Sequence, residues 1–275
     1  MKEIERGEEL ARLLAEGGVL ENIGVQNIDL EPFEEMLMRT SVWDSLFLGC
    51  SMSLQLTEKL LAGKNLIFPR MSLPYNPYRS TLYDARTLYE GFRWKEPDSY
   101  LSTPDYLIYR HILDTGKQKA SLLEILARRI HDFSITDALG DYLSTRDERT
   151  TIAVMGGHSL SRKDANYRKA AVIAKKFSEK GYTVLTGGGP GAMEAAHLGV
   201  WFSGCENRDL DEGLSVLAKA PSYKDRLWLS AAFELMEAFP RAEETHTDAG
   251  IPTWHYGHEP PTPFASRIAK YFDNR

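Results

Sequence analysis

Apolar positions follow two regimes, an irregular one before about residue 145 and a regular one after it. In the irregular part, Leu10, Leu13 and Leu14 fall on one stripe of residues 8–15 and predict a helix. Two short apolar runs, SLFLGC at 45–50 and NLIFP at 65–69, flank a stretch at 52–62 whose Leu54, Leu56, Leu60 and Leu61 have helical spacing. That order of strand, helix and strand predicts a small parallel unit. The Pro- and Tyr-rich stretch 69–83 predicts an ordered loop whose aromatic residues serve packing and turns. Over 117–133, Leu122, Ile125, Leu126, the stem of Arg129 and Ile130 again recur at helical spacing. Ser134 with Asp137 predicts the capped start of a separate short helix ending near Leu143. His131, inside this region, is assigned a structural or solvent-facing place. No internal repeat and no low-complexity tract stands out.

The polar stretch STRDERT at 144–150 marks the predicted boundary between a smaller mixed α/β domain, 1–145, and a second domain, 146–275. After it, TIAVM at 151–155 is a continuous apolar run ending in Gly156 and Gly157, as a buried parallel strand does where it opens into a loop. Residues 164–180 predict an amphipathic helix with Tyr167, Ala171, Ile173, Ala174 and Phe177 on its apolar side and Lys169, Lys175, Lys176 and Lys180 mostly opposite. Gly181 stops it. A second strand, 182–186, runs directly into Gly187, Gly188, Gly189, Pro190 and Gly191, and a new helix follows over 192–198. The fold class is therefore α/β, a parallel sheet with flanking helices.

A glycine run between a buried strand and a helix start has a chemical use. Residues without Cβ let backbone N–H groups approach an anion closely, and the helix start adds free N–H groups and the positive end of its dipole. Together they make a phosphate cradle. The plainer reading is a tight turn alone, but the strand and helix on either side are the context that a cradle requires. The run is neither GxGxxG nor GxxxxGK[ST], and no Lys follows it, so nucleoside triphosphate hydrolysis is not indicated.

Composition narrows the partners. The 275 residues suffice for about two domains. The net charge is −6, from 33 Lys and Arg against 39 Asp and Glu, with no basic block, which argues against nucleic acid. Cys50 and Cys205 lie far apart and lack neighbouring ligands, so neither a zinc site nor a disulfide framework is indicated. The acidic N-terminus does not read as a signal peptide, and no apolar run reaches the roughly 18 residues of a membrane span. These features predict a soluble, cytoplasmic chain without a membrane partner.

The MGG of residues 155–157 and the GYTVLTGGGPGAMEAA of 181–196 resemble the lonely-guy family of Rossmann-like proteins, often misnamed lysine decarboxylases. Its characterised members are nucleotide phosphoribohydrolases, which split a nucleoside 5′-monophosphate into base and ribose 5-phosphate without a metal or dinucleotide. The resemblance implies a nucleotide ligand, no cofactor, a phosphate held by Gly187, Gly188, Gly189 and Gly191, a nucleotide bordered by Gly156 and Gly157, and Glu194 in the first turn of the helix. Glu194 also suits a helix start for structural reasons alone. Dimers are common in the family, so a homodimer is expected by analogy.

The resemblance is close over 150–200 and looser beyond, where 251–272 looks like the third strand and following helix of a divergent bacterial branch. The family's second motif, PGGxGTxxE, does not occur in this sequence. Its Glu assists the chemistry, since a cleaving glycosidic bond needs a positioned carboxylate. The catalytic residue is thus unassigned, with two weaker candidates. Glu259 lies past the expected strand at 251–256, which Asp248 precedes, and Arg267, with Lys270, lies on the expected helix. His255 and His258 lack a third metal ligand at recognisable spacing. In the implied strand order 3-2-1-4-5, strands 4 and 5 would follow Arg275, leaving residues 151–155 as an apolar edge. Truncation, cover by the runs at 45–50 and 65–69, or another chain would resolve that edge. Three functions follow: a phosphoribohydrolase, a module that binds a nucleotide without cleaving it, or an inactive fragment.

Overall fold

The computed structural model describes residues 2–116, 120–241 and 248–273. The chain divides into two compact units, Met1–Ser80 and Thr81–Arg275. The polar stretch at 144–150 therefore lies inside the second unit rather than between the two.

The first unit alternates short strands with helices: β1 (Lys2–Ile4), α1 (Gly7–Glu16), β2 (Val19–Glu21), β3 (Ile23–Gln26), α2 (Glu34–Arg39), β4 (Ser41–Trp43), β5 (Leu46–Leu48), α3 (Leu54–Ala62) and β6 (Leu66–Phe68). The predicted strand, helix and strand at 45–69 are β5, α3 and β6, with the two strands parallel. Ser53 caps α3 by accepting the Leu56 N–H. All pairing is parallel, in the order β1-β3-β5-β6, with β2 beside β4. Ile4 stands opposite Val25, Val25 opposite Phe47, and Phe47 opposite Ile67. Equivalent positions thus recur about every 20–22 residues, the spacing of stacked repeats that share one continuous core. The expectation of no internal repeat is corrected: the copies agree in buried positions, not in residue identity. Beyond Phe68 the unit has no helix or strand, and Tyr75 and Tyr78 are buried, as the loop reading expects.

The second unit begins with α4 (Ala85–Leu88), α5 (Pro104–Thr115) and α6 (Leu122–Ser144). Of the predicted helix over 117–133, residues 117–119 lie outside the described residues. The rest is one continuous helix to Ser144, capped by Ser121, so Ser134 and Asp137 start no separate helix. Nothing between them breaks the hydrogen-bond ladder, and Gly140 alone does not stop a helix of 23 residues. His131 is fully buried, 2.8 Å from the Tyr83 hydroxyl.

The parallel unit follows: β7 (Thr151–Val154), α7 (Ala165–Glu179), β8 (Thr183–Thr186), α8 (Ala192–Trp201), α9 (Asn207–Leu217), α10 (Trp228–Ala238), β9 (Asp248–Gly250) and β10 (Arg267–Ile268). The four strands form one all-parallel sheet in the order β10-β9-β8-β7. Asp164 caps α7 through the Asn166 N–H. Ala174 of α7, Val184 of β8 and Ala196 and Val200 of α8 share a core with Ile152 and Val154 of β7. On α7 the predicted faces hold except at two places: Ile173 is exposed, and Lys175 is buried, its ammonium on Glu179. Residues 193–200 are all buried, so α8 is apolar all round except for Glu194 and His197.

Two expectations fail at the far edge. The third strand is Asp248–Gly250, not 251–256, where a single parallel bridge from Thr253 to Tyr271 is followed by the helical turn Trp254–Tyr256. Residues 265–270 form no helix: Ile268 exchanges backbone hydrogen bonds with Tyr83 at 2.7 and 3.0 Å while β10 pairs with β9. Arg267 therefore lies within β10, and Lys270 lies two residues beyond its end. Among the described residues, β7 pairs only with β8 and is an edge, with Met155 72 % exposed. The runs at 45–50 and 65–69 do not cover it through pairing, because they belong to the first unit's sheet. No described helix is long and apolar enough to cross a membrane.

Candidate functional site

Three turns leave the carboxyl end of the second sheet: Gly156 and Gly157 after β7, residues 187–191 after β8, and residues 251–262 after β9. Ligands of open parallel sheets sit at that end. The first two turns are tied together, for Gly157 O accepts the Ala192 N–H at 3.1 Å. Gly191, at φ +73°, is required there, because a Cβ would stand 2.1 Å from that same carbonyl oxygen. Gly188, at φ +69°, packs on the third turn, where a Cβ would meet Pro252 Cδ at 2.6 Å. Its carbonyl accepts the Thr262 N–H at 2.9 Å. Gly189 differs: its φ is ordinary, and a Cβ would meet only the Met193 methyl at 3.0 Å and Glu259 Oε2 at 4.0 Å.

The N–H groups of Gly189, Gly191, Met193 and Glu194 find no acceptor among the described residues. Buried backbone donors are nearly always satisfied, and a helix start concentrates such donors with a favourable dipole. These four therefore form a cluster suited to an anion.

The side chain of Glu194 is engaged elsewhere. Both its oxygens accept from Arg162, from Nε at 3.1 Å and Nη2 at 2.5 Å, and both residues are buried. Arg162 also donates to the carbonyls of Ala220 at 3.2 Å and Trp228 at 2.9 Å, with its guanidinium 4.7 Å from the Trp228 ring centre. The pair thus fastens the start of α8 to the segment before α10. Beside it, burial and then the Glu194 charge push the Tyr167 phenol well above its ordinary range.

Beneath the glycine turn runs a buried relay. Thr186 Oγ1 accepts the Gly188 N–H at 2.8 Å and lies 2.7 Å from His197 Nε2. Its own proton remains free to go to Nε2, which leaves the His197 Nδ1–H to donate to Asp248 Oδ2 at 2.5 Å. Arg241 donates to Asp248 Oδ1 at 2.9 Å, and the Ser266 N–H to Oδ2 at 3.2 Å. Burial alone would raise the Asp248 pKa, but the His197 hydrogen bond and the Arg241 charge outweigh it and hold it at about 2. The order Thr, His, Asp is that of a nucleophilic triad. Thr186, 1 % exposed and already an acceptor for Gly188, shapes the turn instead.

Of the two catalytic candidates, the structure brings Glu259 to the glycine loop and leaves Arg267 elsewhere. Glu259 is partly buried, with Oε1 3.8 Å from His258 Nε2. Arg267 Nη1 donates to Ser266 O at 2.8 Å. Lys270 is buried in an ion pair with Asp105, which also accepts the Trp254 indole N–H at 3.0 Å. His255 and His258 are exposed, and no group of three metal-ligating side chains occurs among the described residues. Arg162, Thr186, His197 and Asp248 escape sequence reading as a group, since they stand on separate elements and meet only through the fold. Compared with family models, with curated proteins and with solved structures, the chain finds no match in any of the three.

Proposed function

We propose that the carboxyl end of the second sheet binds a nucleoside 5′-monophosphate, its phosphate on the amides of Gly189, Gly191, Met193 and Glu194. On this reading the sheet is Rossmann-like, related to the lonely-guy phosphoribohydrolases, with Gly156, Gly157, Gly187 and Gly188 shaping the cradle. The carrying observation is the set of four unpartnered N–H groups where a parallel strand meets a helix start. Binding needs only those donors. Cleavage of the N-glycosidic bond also needs a carboxylate at the sugar, and the placement of Glu259 beside Gly189 favours this as a second reading.

Adenosine 5′-monophosphate and other monophosphates, incubated with the protein and assayed for free base and ribose 5-phosphate, separate the two. Release that disappears in Glu259→Gln identifies a hydrolase. Binding without release identifies a nucleotide-holding module. Absence of both removes the proposal.

A further inference from the structure

A cavity of about 330 Å³ opens in the second unit, walled by the rings of Tyr100, Tyr106, Tyr109, Tyr223 and Trp228. Its size falls within the range of small-ligand sites. Several of these rings are held in place. Tyr109 packs closely against Gly257, where a Cβ would meet its Cδ2 at 2.1 Å. The Tyr100 hydroxyl donates to the buried Asp105 at 3.4 Å, and the Tyr100 and Tyr106 rings meet edge to face at 5.4 Å. Trp228 is buried under the Arg162 guanidinium. Rings fixed in advance lose little freedom when a flat ligand stacks on them.

The walls are also fastened to the phosphate cradle. Tyr223 packs on His158, the residue after Gly157, with ring centres 6.4 Å apart. His258, on the rim, precedes Glu259, which stands over Gly189. Trp228 backs the arginine that holds Glu194. Of the basic rim residues, Arg226 is paired with Asp98 at 2.6 Å, whereas Lys224 lies 5.8 Å from the Tyr223 ring centre.

We infer that this aromatic cavity receives the base of the nucleotide by stacking, an inference that rests on the phosphate reading above. Every base offers a π-face, so the recognition is tolerant of base identity and favours purines for their larger surface. Tyr100, Tyr106 and Tyr109 come from α5 and the turn before it, which gives this part of the unit a role in specificity.

Calorimetric titration of the full chain with adenosine 5′-monophosphate and, separately, ribose 5-phosphate tests it. The nucleotide should bind at least about 10-fold more tightly than the sugar phosphate, the scale of one base–aromatic stack. Tyr223→Ala should reduce nucleotide affinity to the sugar phosphate level and leave ribose 5-phosphate binding unchanged, while Tyr223→Phe retains the difference. Tyr106→Ala, on another element, gives the same readout if Tyr223→Ala does not fold. Nucleotide binding that is unchanged in both alanine variants, yet abolished with ribose 5-phosphate binding by Gly189→Asp, overturns the base site and leaves the phosphate reading standing. Equal loss of both ligands in Tyr223→Ala also overturns it. Failure of the unaltered protein to bind either ligand removes both readings.

Discussion

Replacing Arg162 by Met leaves the Glu194 carboxylate buried without the two hydrogen bonds that now neutralise it. Both side chains are about 1 % exposed, so water does not take over the lost partner's role. Breaking such a pair from one side costs about 3–5 kcal/mol. With a urea slope of roughly 1–3 kcal/mol per molar, this moves the midpoint by about 1 M or more. Glu194→Leu should cost less, because the guanidinium keeps the Ala220 and Trp228 carbonyls and the Trp228 ring. The double variant Arg162→Met with Glu194→Leu removes both charges and fills the space with apolar atoms, an exchange that is often neutral. It should therefore be more stable than Arg162→Met alone, with a coupling of at least about 2 kcal/mol in a double-mutant cycle. Urea unfolding followed by tryptophan fluorescence measures all four proteins. Costs that simply add, within roughly 0.5 kcal/mol, would refute a mutually dependent pair.

Asp248 predicts a pH dependence. Its pKa is about 2 in the folded chain against an ordinary 3.8, so its contribution is complete above about pH 4 and is lost as the pH falls through about 2. That contribution is about 2 kcal/mol, and Asp248→Asn should flatten the stability curve over that interval. In the first unit, Phe47→Ala removes a fully buried ring from the ladder and should cost about 3–5 kcal/mol, whereas Leu66→Ser, at a position 58 % exposed, should change stability by no more than about 0.5 kcal/mol. Denaturation read at Trp43 tells the two apart. Gly191→Ala should cost about 2–4 kcal/mol through its positive φ and its clash with Gly157 O, but Gly189→Ala much less, and thermal melts of the two variants compare them.

The elements that sequence reading located are those whose signals are local. The strands near 151 and 183, the helix between them, and the turn at 187–191 each combine an apolar run with an adjacent glycine. The strand Asp248–Gly250 carries no such signal: it is three residues long, contains one acid and one glycine, and is a strand because Val184 and Arg267 stand beside its residues. Residues 264–272 are apolar at spacings that suit a helix, but pairing of Arg267–Ile268 with β9 and the Tyr83 bridge leave them without one. In the first unit, recurrence depends on Ile4, Val25, Phe47 and Ile67 filling equivalent places with different side chains, which hides the period from residue matching. The site divides in the same way. Its glycines were legible, whereas the Arg162–Glu194 clamp and the Thr186–His197–Asp248 relay join residues 11 to 51 positions apart.

Gly189→Asp tests the phosphate cradle most directly, because Gly189 carries one of the four amides and, unlike Gly191, has an ordinary φ, so that its substitution strains no backbone. It sets a carboxylate at the start of α8, beside Glu259, where an anion would bind. Calorimetry should detect adenosine 5′-monophosphate binding to the unaltered chain and at least about 10-fold weaker binding to Gly189→Asp, a loss of about 1.4 kcal/mol, with an unchanged melting temperature. Equal affinity in the two proteins would contradict a phosphate held by this turn.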